Sequence, residues 1–188
     1  MAPNNRTDVN APARTLNGID VCPLKRRDVV PLRDALAKAT VAKTTRRFFP
    51  RSLPAMLDWY DHIIASRIAW PFAIFHKSAF IGYCSLREPI FSGRELAIAI
   101  FDTRYNGKGV GTLAVTKLCT FGFLRLRLQR IELAVYPSNR RALACYAQCG
   151  FRQEALLRKF LYHEGEWQDT VLMSLLRQEW EDLRNGSR

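Results

Sequence analysis

The sequence predicts an α+β domain of three-layer, α/β type, with one mixed sheet carrying helices on both faces. Three observations lead there. From Ala73 onward, strand-length apolar runs and helix-spaced stretches follow the order β-β-β-α-β-α-β-β, preceded by one strand and two helices. A chain of 188 residues, 48% apolar and 24% charged, suits one domain that buries its core without disulfides or metals. A glycine-rich turn, "NGKGVGT", joins an apolar strand directly to a long helical stretch.

Residues 1–18 are polar and poor in large apolar side chains, which predicts a disordered tail and starts the domain at residue 19. "IDVCPL" alternates weakly and reads as a strand. Asp28 is the expected N-cap of a helix from Val29 to about Thr40, with Pro31 tolerated in its first turn. In "RSLPAMLDWYDHIIAS", Ser52 is a candidate cap, and Leu53, Met56, Leu57, Tyr60, Ile63 and Ile64 form one helical stripe. "WPFAIF" and "AFIGYCSL" flank a turn at "HKS" and predict a hairpin. "PIFSGR" is a connection and "ELAIAIF" the next strand. "GTLAVTKLCTFGFLRLRL" is apolar at positions 113, 114, 115, 118, 121 and 124, a helical spacing. "RIELAVY" is a strand, and "SNRRALACYAQCG" a short helix with Gly150 in the place of a C-terminal cap. "FRQEALLRKFLYHEGEWQDTVLMSLL" reads as two strands around "HEGE". The domain is expected to run to residue 180, with 181–188 a flexible polar end.

The formal net charge of +12 draws polyanions: nucleic acid, phosphorylated cofactors or anionic membranes. A solvated basic surface on an ordinary enzyme explains it equally well. The apolar runs fall short of the roughly 18 residues that a membrane span needs, and no leader segment is read at the start, so no membrane is expected. Five scattered cysteines without C-x-x-C spacing indicate neither zinc nor a disulfide framework, and a reducing cytoplasm fits them. His62, His76 and His163 are isolated and take no catalytic role.

The glycine turn matches neither G-x-x-x-x-G-K-[ST] nor G-x-G-x-x-G. Its physics still favours an anion. A helix N-terminus presents about four unpaired N–H groups and a partial positive charge, glycines let a phosphate approach the backbone, and Lys108 adds a full charge. A glycine-rich β–α turn without ligand is the plain alternative. In the preceding strand, alternation puts Glu95, Ala97, Ala99 and Phe101 on one face and Leu96, Ile98 and Ile100 on the other. The second face is core. The first is small and open enough for a substrate channel, with Glu95 as a candidate base and Tyr83 and Glu88 as weaker ones.

Two motifs together carry a resemblance. One is the turn from Asn106 through Gly107, Lys108, Gly109, Val110 and Gly111 to Thr112. The other is N-x-R-A-x-x-x-Y-x-x-x-G-F, supplied by Asn139, Arg141, Ala142, Tyr146, Gly150 and Phe151. With the final "YHEGEWQDTVLMSL", they resemble the GNAT superfamily of acetyl-CoA-dependent N-acetyltransferases, closest to its spermidine and ribosomal-protein-alanine branch. The resemblance covers about Phe80 to Leu176. It departs at Asn106, where the family has Gln or Arg, which bears on affinity more than on activity.

That resemblance implies a mixed, mostly antiparallel sheet of about seven strands. It implies that Asn106 to Thr112 wraps the pyrophosphate of acetyl-CoA, that the strand ending at Ile100 and Phe101 splays from the next one to pair with the pantetheine arm, and that Asn139 holds the pantetheine amide. It also implies that Tyr146 protonates the leaving thiolate, which suits a phenol of pKa about 10 against a thiol of about 8.5. Acetyl would pass directly to a primary amine, small-molecule, amino-sugar or peptide, with no metal and with a backbone N–H of the fourth strand holding the oxyanion. The family's closing hairpin makes a homodimer one expectation. Two other readings stand beside this one: a nucleotide-linked acceptor such as aminoacyl-tRNA or an amino-sugar nucleotide, and a non-catalytic module that binds nucleic acid or protein. "TTRRFFPR", with Arg and Phe mixed, is the feature that speaks for the last.

Overall fold

The computed structural model describes residues 16–37, 49–50, 52–163 and 165–186. In chain order its elements are β1 (Ile19–Pro23), a 3-10 turn (Arg26–Asp28) running into α1 (Val29–Leu36), α2 (Leu53–Ser66), β2 (Trp70–His76), β3 (Ala79–Arg87), β4 (Arg94–Ile100), a second 3-10 turn (Thr103–Tyr105), α3 (Val110–Leu124), β5 (Arg130–Val135), α4 (Arg140–Gln148), β6 (Arg152–His163), β7 (Glu166–Leu176) and α5 (Arg177–Asn185). The strands form one seven-stranded sheet in the order β1-β2-β3-β4-β5-β7-β6. Neighbours are antiparallel except β4 and β5, which run parallel. The mixed, mostly antiparallel sheet of seven strands is the one the resemblance implied.

The period-2 alternation of β3 and β4 assigns each face a partner. Cys84, Leu86 and Leu96 bury themselves against Val110, Ala114, Val115 and Leu118 of α3. On the opposite face, Ala73 and Tyr83 pack with Val29 and Leu32 of α1 and Met56 of α2. α3 is apolar nearly all round because it is the central helix: Val110, Ala114, Val115, Leu118, Cys119 and Phe123 are all at most 1% exposed. α2 begins as its sequence dictates, with Ser52 Oγ accepting the Ala55 N–H at 3.4 Å and proline in the first turn.

Four local features differ from the sequence reading. Asp28 caps the preceding 3-10 turn instead of α1: its carboxylate accepts the Lys25 N–H at 2.9 Å. The expected extension of that helix to Thr40, and most of "TTRRFFPR", lie outside the described residues. α3 stops at Leu124, short of Leu128, because the chain must turn into β5: the Leu128 N–H returns to the Gly122 carbonyl and Arg127 takes φ +54°. The polar stretch from Arg177 forms α5, so the expected end piece 181–188 starts inside a helix. Its few apolar residues share one face: Trp180 is buried against Phe123, ring centroids 5.1 Å apart, and Leu183 lies over Gly150. Of the expected tail, 1–15 lie outside the described residues, while Leu16 donates its N–H to the Lys108 carbonyl and Gly18 accepts from Lys77.

An ionic chain that starts on a buried carboxylate and ends at the surface pins β5 to its surroundings. The Glu132 side chain, fully buried, accepts the backbone N–H groups of Phe91 at 2.7 Å and Ser92 at 3.3 Å, and Arg130 Nη2 at 3.4 Å. Arg130 makes two further bonds of 2.7 Å to Glu154, which also accepts the Ser174 hydroxyl. Glycine is required at 93, where φ is +77° and a Cβ would stand 2.3 Å from the Arg130 carbonyl oxygen.

Two outcomes are expected. Gly93→Ala destabilises the protein by about 2–3 kcal/mol in chemical denaturation, from the disfavoured φ and the clash with backbone. Arg130 first, then the Ser174 hydroxyl, hold the Glu154 carboxyl down at about 2. A carboxyl depressed on folding adds stability that is complete above its unfolded value of about 4.3 and is lost as pH falls through the folded value. The urea midpoint therefore falls as pH drops from about 5 to about 2, and Glu154→Gln flattens that part of the profile.

Candidate active site

β4 and β5 pair at only two positions, Arg94 with Ile131 and Glu95 with Glu132. Beyond them the strands part, and a cleft opens between Ala97 to Ala99 on one side and Ala134 to Tyr136 on the other. On its far edge β4 stays paired to β3 as far as Ile100 with Gly82. The Phe101 N–H donates to the Ile81 carbonyl at 2.9 Å, on the β3 side. By alternation the N–H and C=O groups of Ile98 and Ile100 face the cleft. Here a strand edge is open to an extended ligand.

The cleft contains a cavity of about 90 Å³. Its walls bring together Tyr83 and Arg87 from β3, Glu95, Ala97 and Ala99 from β4, and Asn139 and Tyr146 from the start and middle of α4. The register explains the first five, since Tyr83 lies opposite Ala99 and Arg87 opposite Glu95 on one face. Tyr146 is buried, at 8% exposure. Asn139 caps α4, its Oδ1 accepting the Ala142 N–H at 3.1 Å, and its side chain also lines the cavity. Arg141 is exposed on the first turn of α4 and Ala142 packs on the core.

Glu95 stands on the expected face, but as half of an ion pair. Its two oxygens accept Arg87 Nε at 2.9 Å and Nη2 at 2.8 Å, with both side chains about one-tenth exposed. The ion pair revises the picture of an open carboxylate and anchors Glu95 in the wall of the cleft. Glu88 is exposed at the rim of a neighbouring cavity. Phe101 is also revised: its ring stacks on Phe80 at 5.7 Å and its N–H is committed to Ile81, which leaves Ile98 and Ile100 as the strand residues facing the cleft.

The glycine turn follows β4 and leads into α3. Gly107 (φ +70°) and Gly109 (φ +73°) have left-handed backbone, and a Cβ on Gly107 would meet open space, so conformation is what requires glycine there. Gly111 serves packing instead: a Cβ would lie 3.2 Å from Cys145 Sγ on α4. Asn106 donates its N–H to the Thr103 carbonyl at 3.0 Å, Lys108 is exposed and Val110 enters the core. The i→i+4 ladder of α3 begins with Leu113 N–H to Gly109 C=O at 3.0 Å. The N–H groups of Val110, Gly111 and Thr112 precede it, with no side-chain cap and no acid in that turn. Thr112 Oγ1 lies 3.5 Å from Cys145 Sγ. Hydrogen bonds from Cys149 and then Thr112 lower the Cys145 thiol, while the Cys149 thiol is pushed up by its bond to Cys145 and by burial.

The model of the Acetyltransferase (GNAT) domain matches residues 21–152. The chain belongs to the GNAT acetyltransferase family. It is an acyltransferase of that family, with acetyl-CoA as co-substrate and an amine as acceptor. The GNAT relatives include the SPbeta prophage-derived uncharacterized N-acetyltransferase YokL of Bacillus subtilis strain 168, 26% identical over 143 residues, 73% of this chain and 78% of YokL. The spermidine N(1)-acetyltransferase of Escherichia coli strain K12 is 27% identical over 81 residues, 43% of this chain and 44% of that enzyme. The crystal structure of spermidine N-acetyltransferase from Vibrio cholerae in complex with CoA and spermine has a TM-score of 0.79 at 22% identity, covering 88% of this chain and 99% of that one. At that identity the likeness shows the fold. Among the described residues no helix is long and apolar enough to cross a membrane.

Sequence reasoning missed Arg87 and the aromatic residues beside the cleft, Phe49 and Trp59. Alternation puts Tyr83, Ser85 and Arg87 on one face of β3, but only the register of β3 on β4 sets Arg87 opposite Glu95. Arg87→Ala leaves a buried carboxylate without its cation and lowers stability by about 3 kcal/mol in urea denaturation. The double variant Arg87→Ala with Glu95→Gln is expected to recover part of that loss.

Proposed function

We propose that this enzyme transfers acetyl from acetyl-CoA to a primary amine of a small molecule, amino sugar or peptide by direct attack in a ternary complex. The observation that carries the reading is the open β4 edge with Asn139 and Tyr146 in its cleft, on a chain whose next helix, α3, begins with an uncapped N-terminus after the glycine turn. The N–H groups at Val110 to Thr112 and the glycine turn from Asn106 hold the pyrophosphate by direct hydrogen bonds and the helix dipole. Ile98 and Ile100 supply strand-edge bonds to the pantetheine arm, and Asn139 and Arg141 border it.

The amine lone pair forms the new C–N bond at the thioester carbonyl, and the C–S bond breaks. A strand-edge N–H of β4 holds the negative charge that develops on the carbonyl oxygen. Tyr146 gives its proton to the departing thiolate, and the proton that the nitrogen releases to solvent is matched by one that solvent returns to the Tyr146 phenolate. With Glu95 tied to Arg87, the acceptor must supply its own free base. An α-amine of pKa near 7.7–8.0 is about a tenth neutral at pH 7, whereas an alkylamine near 10.4 is neutral about once in two thousand. The reading therefore favours amines of low pKa or amines stripped of water in an apolar channel. The five cysteines are all free thiols, which supports a cytoplasmic location.

Tyr146→Phe is expected to lower kcat by about 10²- to 10⁴-fold in a thiol-release assay while acetyl-CoA still binds in calorimetry. Unchanged turnover would remove the acid assignment.

A further inference from the structure

A second cavity, of about 230 Å³, lies on the same face of the sheet and shares three wall residues with the reaction cleft: Phe49, Tyr83 and Arg87. Its remaining described lining is Trp59, Ile63, Ile68 and Ala69, with Ser85 and Glu88 as the polar members. The shared boundary is aromatic. Phe49 meets Trp59 edge-on at 5.2 Å and Tyr83 edge-on at 5.7 Å, and Trp59 lies 6.4 Å from Tyr83. Each ring is held by two others, so the wall keeps its shape when it meets a ligand.

The charges of this double cavity are as telling as its rings. The acids among the described lining residues are Glu95 and Glu88. Arg87 occupies both oxygens of Glu95, and Glu88 is an exposed rim residue. A polyamine lodged here would put its second ammonium against tryptophan, isoleucine and alanine with no buried carboxylate to answer it, a costly desolvation. An amino sugar fares little better, because its ring hydroxyls would find Ser85 as the one aliphatic hydroxyl among the described lining residues. An apolar ring suits the site: it covers the aromatic wall, requires no counter-charge and enters with a single nitrogen leading.

We infer that the acceptor is an arylalkyl monoamine, its nitrogen in the cleft beside Ala99 and Tyr146 and its aromatic body in the cavity walled by Trp59, Ile63 and Ala69. The inference rests on the acetyl-transfer reading above and narrows its acceptor. It also answers the proton problem. Withdrawing an amine into an apolar channel disfavours its charged form, which yields free base without a dedicated protein base.

The test is thiol release from acetyl-CoA with 2-phenylethylamine, spermidine and glucosamine as probes, run beside calorimetry with acetyl-CoA alone. The expected result is a kcat/KM for 2-phenylethylamine at least about tenfold above the other two. Trp59→Leu should raise the KM for 2-phenylethylamine about tenfold and leave the KM for acetyl-CoA in place. Ala69→Trp, which fills the cavity, should abolish the preference, with thermal melts showing both variants folded. Spermidine or glucosamine as the better substrate, or a phenylethylamine KM indifferent to both substitutions, overturns the inference while the acetyl-transfer reading stands. Absence of heat with acetyl-CoA overturns that reading and the inference together.

Discussion

Two residue pairs hold β4 to β5, and the enzyme depends on there being no more. Arg94 with Ile131 and Glu95 with Glu132 complete the sheet at one end, and past them the strands separate. A longer ladder would close the cleft and satisfy the groups of Ile98 and Ile100 internally. A shorter one would split the sheet into two halves. The junction is over-determined in compensation: Gly93 passes so close to the Arg130 carbonyl that only glycine fits, and fully buried Glu132 gathers the backbone of Phe91 and Ser92. Buried carboxylates are tolerated only when their lone pairs are occupied, and Glu132 meets that condition with backbone donors and Arg130.

The glycine turn carries the chain from the end of β4 into α3. Left-handed backbone at Gly107 and Gly109 reverses the chain from β4 into α3 without side chains in the way. α3 is anchored along its whole length in the core, so its N-terminal N–H groups are fixed in place before any ligand arrives. That is preorganisation in a plain sense: the donors are held by burial of Val110, Ala114, Val115 and Leu118, which lie on the same helix a turn or two away. α4 is locked against α3 through Gly111 and Cys145, and this contact sets the position of Tyr146 relative to the turn.

The two faces of the sheet divide the labour. The α3 face carries the bulk of the core and holds the donor end. The other face is covered by α1 and α2, and there Tyr83, Arg87 and Glu95 meet Phe49 and Trp59. In the proposed reading, acceptor preference is written in the early helices and in β3, and the acetyl-donor site in the turn and in α4.

Much of this was legible in the residues themselves. Strand and helix order followed from periodicity, because period 2 and period 3.6 are imposed by backbone geometry wherever one face is buried. The glycine turn and the Asn139-to-Phe151 motif were legible because each needs particular residue types at fixed spacing. The α5 helix was hidden by its polar composition, since two apolar contacts, Trp180 and Leu183, suffice to dock a nine-residue helix. The fate of Glu95 was hidden for a different reason. Its face could be read from alternation, but its partner could not, because Arg87 comes opposite only through the register of β3 on β4. By itself the sequence determined the local conformations and the family motifs, which depend on neighbours along the chain. The tertiary structure alone decided where β4 leaves β5, which charge cancels which, and how three aromatic rings from α2, β3 and the segment before α2 meet. Those are contacts between residues far apart in sequence, and no local pattern encodes them.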